Sequence, residues 1–312
     1  MKLGIVIPCY NEEETLHETN KRLKVLLDEM IAAGTIDKES FVCYVDDGSS
    51  DSTWGIVEKF QKVSEYVRGI KLSRNFGHQN ALIAGLMQLK NDADALVSMD
   101  ADLQDDIELI KEFVAKYKEG YEVVYGVRED RSTDTKFKRD TAGFFYTFQH
   151  FMGIETIQNH ADYRLLSKKA LEALSKFKEI NLFLRGIVPM LGFKSCSVYY
   201  TRAERFAGET KYPFKKMFLF ALDGIASFSV KPLRLITVVG FLLFMLSLLG
   251  IVWVIFEKLL FGNAVQGWAS MMISIYFIGG IQVMSLGIIG EYVGRSFQES
   301  KGRPRYIIDK EI

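Results

Sequence analysis

Short apolar runs alternate with stretches of helical periodicity over roughly the first two hundred residues, and two long charge-free stretches follow. Residues 2–8 hold the run Leu3-Gly4-Ile5-Val6-Ile7, closed by Pro8, which cannot continue a hydrogen-bonded ladder, so a first strand is predicted there. Leucines at 16, 23, 26 and 27 share one face of a predicted helix over 15–32. The pattern then predicts strands at 41–45, 69–72, 95–97, 122–126, 159–167 and 194–201. Helices are predicted up to 63, up to 89, and over 107–117, 141–152 and 168–176. Strands alternating with helices argue for an α/β fold with a doubly wound, mostly parallel sheet.

The stretches 235–256 and 268–289 carry no charge and span about 22 residues each, ~33 Å as helix, enough to cross a bilayer. A buried core helix of this length would rarely be uncharged on every face. Lys215, Lys216, Lys231 and Arg234 precede the first stretch, and Arg295, Lys301, Arg303 and Arg305 follow the second. The connecting loop, 257–267, has Lys258 as its only cation, so the positive-inside rule places the larger amino-terminal part and both termini in the cytoplasm. Residues 214–230 set Phe214, Met217, Phe218, Leu222, Ile225 and Phe228 against Lys215 and Lys216, as expected of a helix lying on the membrane surface. The expected division is therefore 1–212 for a cytoplasmic α/β domain, 213–231 for an amphipathic helix, 232–291 for two transmembrane helices and 292–312 for a cytoplasmic basic tail. Gly279, Gly280, Gly287 and Gly290 suit close helix packing in a homo-oligomer. Residues 1–8 do not read as a secretory signal, because the run is too short and leads into a polar segment.

Composition narrows the function further. The 39 cationic and 39 acidic side chains balance, which gives no basis for a nucleic-acid partner. Cys9, Cys43 and Cys196 are isolated in apolar contexts without metal-ligand spacing and read as reduced core residues. Neither G-x-G-x-x-G nor a Walker A sequence occurs, so the common phosphate cradles are missing.

The chemistry gathers where predicted strands end. After Ala95-Leu96-Val97 come Asp100, Asp102 and Gln104, which point the same way on extended backbone and can share a hard cation at the edge where α/β sheets bind ligands. A cation held mainly by carboxylates keeps positions open for phosphate oxygens, which points to a diphosphate substrate. The competing reading is a polar turn with Asp106 capping the next helix. Asp46 and Asp47 end another strand in a turn that could receive a base and ribose, with Asp51 or Ser52 equally suited to capping. Arg74 follows a third strand and is either placed for an anion or a solvated loop arginine; His78, at a helix start where it could meet an anion, reads as structural. The polar run 127–138 reads as a mobile loop over the site. Asp162 and Arg164 are either a catalytic acid and base or a structural pair, and Arg202, Arg205 and Lys211 lie in a glycine-containing loop suited to clamping phosphate.

Taken together, Ile7-Pro8-Cys9-Tyr10-Asn11-Glu12, Val45-Asp46-Asp47-Gly48, Ser73-Arg74-Asn75-Phe76-Gly77, Met99-Asp100-Ala101-Asp102-Leu103-Gln104 and Ala161-Asp162-Tyr163-Arg164 resemble family 2 glycosyltransferases of GT-A fold. The likeness is to the polyprenyl-phosphate group related to dolichol-phosphate mannose synthase, and among these to the bacterial undecaprenyl-phosphate glucosyltransferase branch. The resemblance implies that Pro8, Tyr10, Glu12, Asp46, Asp47, Arg74 and Asp100 bind the nucleotide. It implies that Asp100, Asp102 and Gln104 hold Mg²⁺ or Mn²⁺ on the diphosphate, with Asp102, Asp162 and Arg164 as catalytic residues. Arg128, Arg185, Arg202, Arg205 and Lys211 would contact the phosphates. The implied reaction moves a hexose from a UDP-sugar to undecaprenyl phosphate with inversion, for cell-envelope glycan modification. UDP-glucose is the expected donor and UDP-N-acetylglucosamine the second. A processive polysaccharide synthase would share the acidic strand ends, but should carry Q-x-x-R-W, and the chain has no Arg-Trp pair. A non-catalytic membrane scaffold would show no metal-dependent binding of a sugar nucleotide.

Overall fold

The computed structural model describes residues 1–128, 160–180, 184–201 and 267–312, together with helical positions between 233 and 256. In chain order the elements are β1 (Leu3–Cys9), α1 (Leu16–Ala32), β2 (Phe41–Asp46), α2 (Thr53–Val63), β3 (Val67–Leu72), α3 (His78–Leu89), β4 (Ala95–Ser98) and α4 (Leu109–Lys118). They continue with β5 (Val123–Arg128), β6 (His160–Ser167), α5 (Lys168–Leu174), α6 (Leu184–Met190), β7 (Ser195–Tyr200), α7 (Trp268–Ser300) and β8 (Ile308–Glu311). The described strands form one eight-stranded sheet in the order β7-β5-β6-β4-β1-β2-β3-β8.

Pairing is parallel among β4, β1, β2 and β3, and between β5 and β7, while β6 and β8 run antiparallel to their neighbours. The sheet is thus mixed and mostly parallel, as in GT-A folds. Strand alternation sends Leu3, Ile5 and Ile7 to one face, where they share a core with Leu23 and Leu27 of α1, Val57 of α2 and Ile110 and Phe113 of α4. Val6 points to the other face, under α3. There Gly85 permits close approach, since a Cβ on it would lie 2.5 Å from Val6 Cγ1. Helices therefore cover both faces, which explains why β1, β2 and β4 are buried along their whole length.

Three differences from the sequence expectations bear on the site. Strand β5 extends to Arg128, past the predicted end at 126, because β7 pairs with it through Arg128↔Tyr200. The strand expected at 159–167 enters between β4 and β5 in the antiparallel sense, with Arg164 opposite both Ser98 and Tyr125. The carboxy-terminal segment is more than a basic tail. Helix α7 continues to Ser300, and β8 then completes the sheet edge on β3, with Ile312 and Gly69 exchanging backbone hydrogen bonds of 2.9 Å.

The described residues fall into two compact units. One comprises the sheet, its helices and 303–312, and the other contains α7. Within α7, Phe277–Ser300 is long and apolar enough to cross a membrane, with mean hydropathy 1.3. The predicted first span at 235–256 is described only at scattered helical positions. The predicted helices at 141–152 and 214–230 lie outside the described residues, as does the predicted loop from 129 onward.

Candidate active site

Four parallel strands, β1 to β4, deliver their carboxyl ends to one edge, and the antiparallel β6 begins there. A strand of opposite sense brings its first residues beside its neighbours' last ones, so Asp162, two residues before the Ser98↔Arg164 pair, lies at the level of Asp100. Sequence separation hides this meeting entirely.

The turns after β1 and β2 are tied together. Asn11, in the left-handed region at φ 54°, donates its backbone N–H to Ser49 Oγ at 3.0 Å, while its side-chain oxygen accepts from Ser50 N at 2.9 Å. Glu12 N donates to Thr53 Oγ1 at 2.9 Å. Asp51 Oδ1 accepts from Thr53 N at 3.0 Å, a local turn bond just ahead of α2; the N-cap itself is Ser52, and its side chain makes no capping bond, so the expected cap by Asp51 or Ser52 is not formed. Asp47 is clamped from β3's side, its two carboxylate oxygens accepting from Phe76 N at 2.7 Å and Gly77 N at 2.9 Å. Gly48, at φ 68°, turns the chain so close to this loop that a Cβ would sit 2.6 Å from Asn75 N. Asp46 is fully buried, and its Oδ2 has no hydrogen-bond partner among the described residues. Burial pushes both carboxyls above their ordinary range. Pro8 is buried beneath these turns, whereas Tyr10 is exposed at the rim. Arg74 lies with its guanidinium 4.0 Å from the centre of the Phe76 ring and donates to Asn75 O at 2.9 Å.

The turn after β4 is anchored from below. Thr19 of α1, fully buried, donates to Ala101 O at 3.1 Å, and Gln104 N donates to Asp102 Oδ1 at 3.2 Å. Leu103 takes φ 58°, a costly conformation for a branched side chain, and such strain concentrates where a turn must hold particular groups. Asp106 Oδ1 accepts from Glu108 N at 3.0 Å, which stiffens the turn ahead of α4; the N-cap is Glu108 without a side-chain capping bond, so Asp106 does not cap the helix as expected.

Beside this turn lies a charged cluster. Arg164, fully buried, is ion-paired with Asp162 and donates to Leu184 O at 3.3 Å. Arg185 Nη2 lies 3.3 Å from Asp162 Oδ2. His78 Nε2 lies 3.5 Å from Asp100 and 3.9 Å from Asp162, so a residue that reads as structural in the sequence bridges the two acids. Its position at the start of a helix is the one feature visible in the sequence. Burial alone would raise the Asp162 carboxyl, but Arg185, Arg164 and His78 outweigh it and hold the group well below the usual carboxylate range. Asp100 behaves oppositely. Burial pushes it up to about 6, with His78 opposing and Asp105, Asp162 and Asp102 adding to the rise.

This crowding of acids at Asp100 is what a cation would relieve. The donor set fits a hard divalent ion that takes part of its coordination from a ligand's oxygens. Among the described residues no group of three or more His, Cys, Asp or Glu is gathered so as to hold a metal ion by itself. Arg128, at the end of β5, contacts Asp105 and Tyr200. Of the other predicted phosphate ligands Arg185 stands in the cluster, and Arg202, Arg205 and Lys211 lie outside the described residues.

Residues 4–175 match the model of glycosyl transferase family 2, and residues 231–296 match the GtrB C-terminal hairpin. The chain is 53% identical over 310 residues to an uncharacterized glycosyltransferase, YkoT, of Bacillus subtilis, which covers 99% of this chain and 92% of the relative. It is 38% identical over 311 residues to the prophage bactoprenol glucosyl transferase homolog of Escherichia coli, covering 99% of each. The bactoprenol glucosyl transferase of Shigella phage SfV is 38% identical over 312 residues, covering all of this chain and 99% of the phage protein. A GT-A-like sheet with acidic turns at its carboxyl edge, a match over more than half the chain and full-length relatives agree: this protein belongs to glycosyltransferase family 2.

Proposed function

We propose that the protein transfers glucose from UDP-glucose to a polyprenyl phosphate, undecaprenyl phosphate being the expected acceptor, with inversion at the anomeric carbon. The observation that carries this reading is the full-length likeness to proteins named bactoprenol glucosyl transferase, bactoprenol being a polyprenol. In this reading Pro8, Tyr10, Glu12, Asp46, Asp47 and Arg74 receive the uridine, and the buried, unpartnered Asp46 Oδ2 suits a donor from the base or ribose. Asp100, Asp102 and Gln104 would hold Mg²⁺ or Mn²⁺, which when bound stabilises negative charge on the departing diphosphate.

The acceptor needs little activation. A phosphate monoester has a second pKa near ~6 and is largely dianionic at neutral pH, hence already a nucleophile. Asp162, held ionised by two arginines, is a weak base, and its role in this scheme is to position Arg164, Arg185 and His78 around the reacting centre. Arg128 sits on β5, two strands from β4 on the side away from β1 and β2, roughly 10 Å across the sheet. The nucleotide residues occupy the other side, so Arg128 is assigned to the acceptor phosphate; Arg185, beside Asp162, is assigned to the same phosphate on chemistry alone. Arg202, Arg205 and Lys211 are assigned to the phosphates on chemistry alone.

The membrane arrangement follows the same reading. The two spans, an interfacial helix over 214–230 and a cytoplasmic catalytic domain are supported by the hairpin match over 231–296 and the flanking cations. Exposed Phe241, Leu242, Leu249, Trp253, Val283 and Leu286 suit a lipid surround better than water. The test is transfer by full-length enzyme in detergent with undecaprenyl phosphate, Mg²⁺ or Mn²⁺ and a panel of UDP- and GDP-sugars. Glucolipid formed from UDP-glucose at a rate at least tenfold above other donors is expected. Preferential transfer of another sugar, or elongation to a polymer, would overturn the reading.

A further inference from the structure

Asp105 follows Gln104 directly, yet its side chain turns inward. The residue is 3% exposed, and its Oδ2 has no hydrogen-bond partner among the described residues. Its Oδ1 receives two donors, the Tyr200 hydroxyl in a short hydrogen bond and Arg128 Nη2 at 3.4 Å. Arg128 Nε donates to the Tyr200 oxygen at 3.2 Å, which closes the triangle. The β5 register places Arg128 opposite Tyr200, both at strand ends, so one carboxylate from the turn after β4 joins the ends of β5 and β7. The Tyr200 ring is steadied in turn by an edge contact with Tyr163, centroids 5.8 Å apart, and Tyr163 donates its hydroxyl to Asp106 O at 2.8 Å.

A buried carboxylate with an idle oxygen is a poor means of packing a core, which an apolar residue would fill at less cost. Its placement makes sense if the aim is directional. Two of Arg128's five N–H donors are occupied by the triangle, the side chain remains about a quarter exposed, and the other three donors have no partner among the described residues and can serve an anion. An arginine held through Nε and one Nη has its remaining edge presented in a set direction.

We propose that Asp105 and Tyr200 are positioning residues that aim the Arg128 guanidinium at the acceptor phosphate, holding it in register with the turn that carries Asp100, Asp102 and Gln104. This rests on the assignment of Arg128 to the acceptor made above. Neither Asp105 nor Tyr200 touches substrate; each acts through Arg128.

The experiment is steady-state kinetics on the full-length enzyme in detergent, varying undecaprenyl phosphate and UDP-glucose separately, for Tyr200→Phe, Arg128→Ala, Arg128→Lys and the combinations with Tyr200→Phe. Tyr200→Phe keeps the ring and its contact with Tyr163. It should raise KM for the lipid phosphate three- to tenfold while KM for UDP-glucose stays within twofold; removing a donor from a buried carboxylate also lowers the unfolding midpoint by roughly a few degrees, so the split between the two KM values is the diagnostic readout. Arg128→Lys keeps the charge without the fork and should resemble it. In either Arg128 background, Tyr200→Phe should add nothing. If Arg128→Ala raises the acceptor KM and Tyr200→Phe does not, the positioning role is overturned while the Arg128 assignment stands. If Arg128→Ala leaves the acceptor KM unchanged, the assignment itself fails. Effects of Tyr200→Phe that multiply with those of Arg128→Ala, or fall equally on both substrates, would mark a general structural role and overturn the proposal.

Discussion

Replacing Asp162 with asparagine tests the charged cluster most directly. The variant keeps the shape and one acceptor oxygen but leaves the Arg164 guanidinium, 1% exposed, without its counter-charge. Leu184 O at 3.3 Å is a neutral acceptor, and Arg164 Nε has no hydrogen-bond partner among the described residues. Breaking a buried ion pair from one side costs about 3–5 kcal/mol. A retained amide hydrogen bond offsets about 1 kcal/mol. The Arg185 contact, with that side chain more than a third exposed, adds little after solvent screening. A net loss of about 3 kcal/mol in a unit of this size lowers the unfolding midpoint by roughly 6–12 °C. The sign with pH follows from the direction of the shift. Because the folded Asp162 carboxyl is depressed, its stabilisation is fully present above the unfolded value of ~3.9 and is lost as pH falls through the lower folded value. The difference between wild type and Asp162→Asn should therefore be fully present at neutral pH and shrink only below about pH 4. Thermal unfolding of the full-length protein in detergent, followed by tryptophan fluorescence, reads both quantities. The same preparation gives kcat against pH, whose acidic limb should stay near the acceptor's second phosphate pKa on a lower plateau. A midpoint shift under about 2 °C, or an acidic limb that disappears, would refute the argument.

Further outcomes follow from the acidic turns. Asp102→Asn should lower turnover at least a hundredfold and weaken UDP-glucose binding only when Mn²⁺ is present, as read by titration calorimetry with and without the ion. Since Asp100 lies near 6 without metal and a cation must displace its proton, Mn²⁺ affinity should fall towards tenfold per pH unit below about 6 and level off above it; an affinity equal at pH 5 and 7.5 would contradict this. Gly48→Ala forces a Cβ against the backbone of Asn75 at a positive φ and should cost about 2 kcal/mol or more, visible as a lowered midpoint together with weaker UDP binding in the absence of metal.

Much of this protein was legible in one dimension. Strands β1 to β4 and helices α1 to α4 announce themselves through apolar period and turn chemistry, because each is decided by which side chains a short segment can bury. The acids at strand ends were visible for the same reason: an apolar run that stops in Asp100 or Asp46 must open to solvent or to a ligand. The charge-free helix around 277–289 needed only length and composition. What the sequence could not decide were relations between distant segments. Whether β6 runs with or against β4 depends on the path of the whole chain, and the antiparallel choice is what brings Asp162 and Arg164 to Asp100. Residues 308–311 have no strand signal strong enough to stand alone, since an edge strand takes most of its stabilisation from the β3 edge it covers. His78 and Asp105 looked ordinary because their meaning lies in their partners. A lone histidine or a third aspartate in an acidic turn carries no mark of the carboxylates, the tyrosine or the arginine that folding places within 4 Å of it.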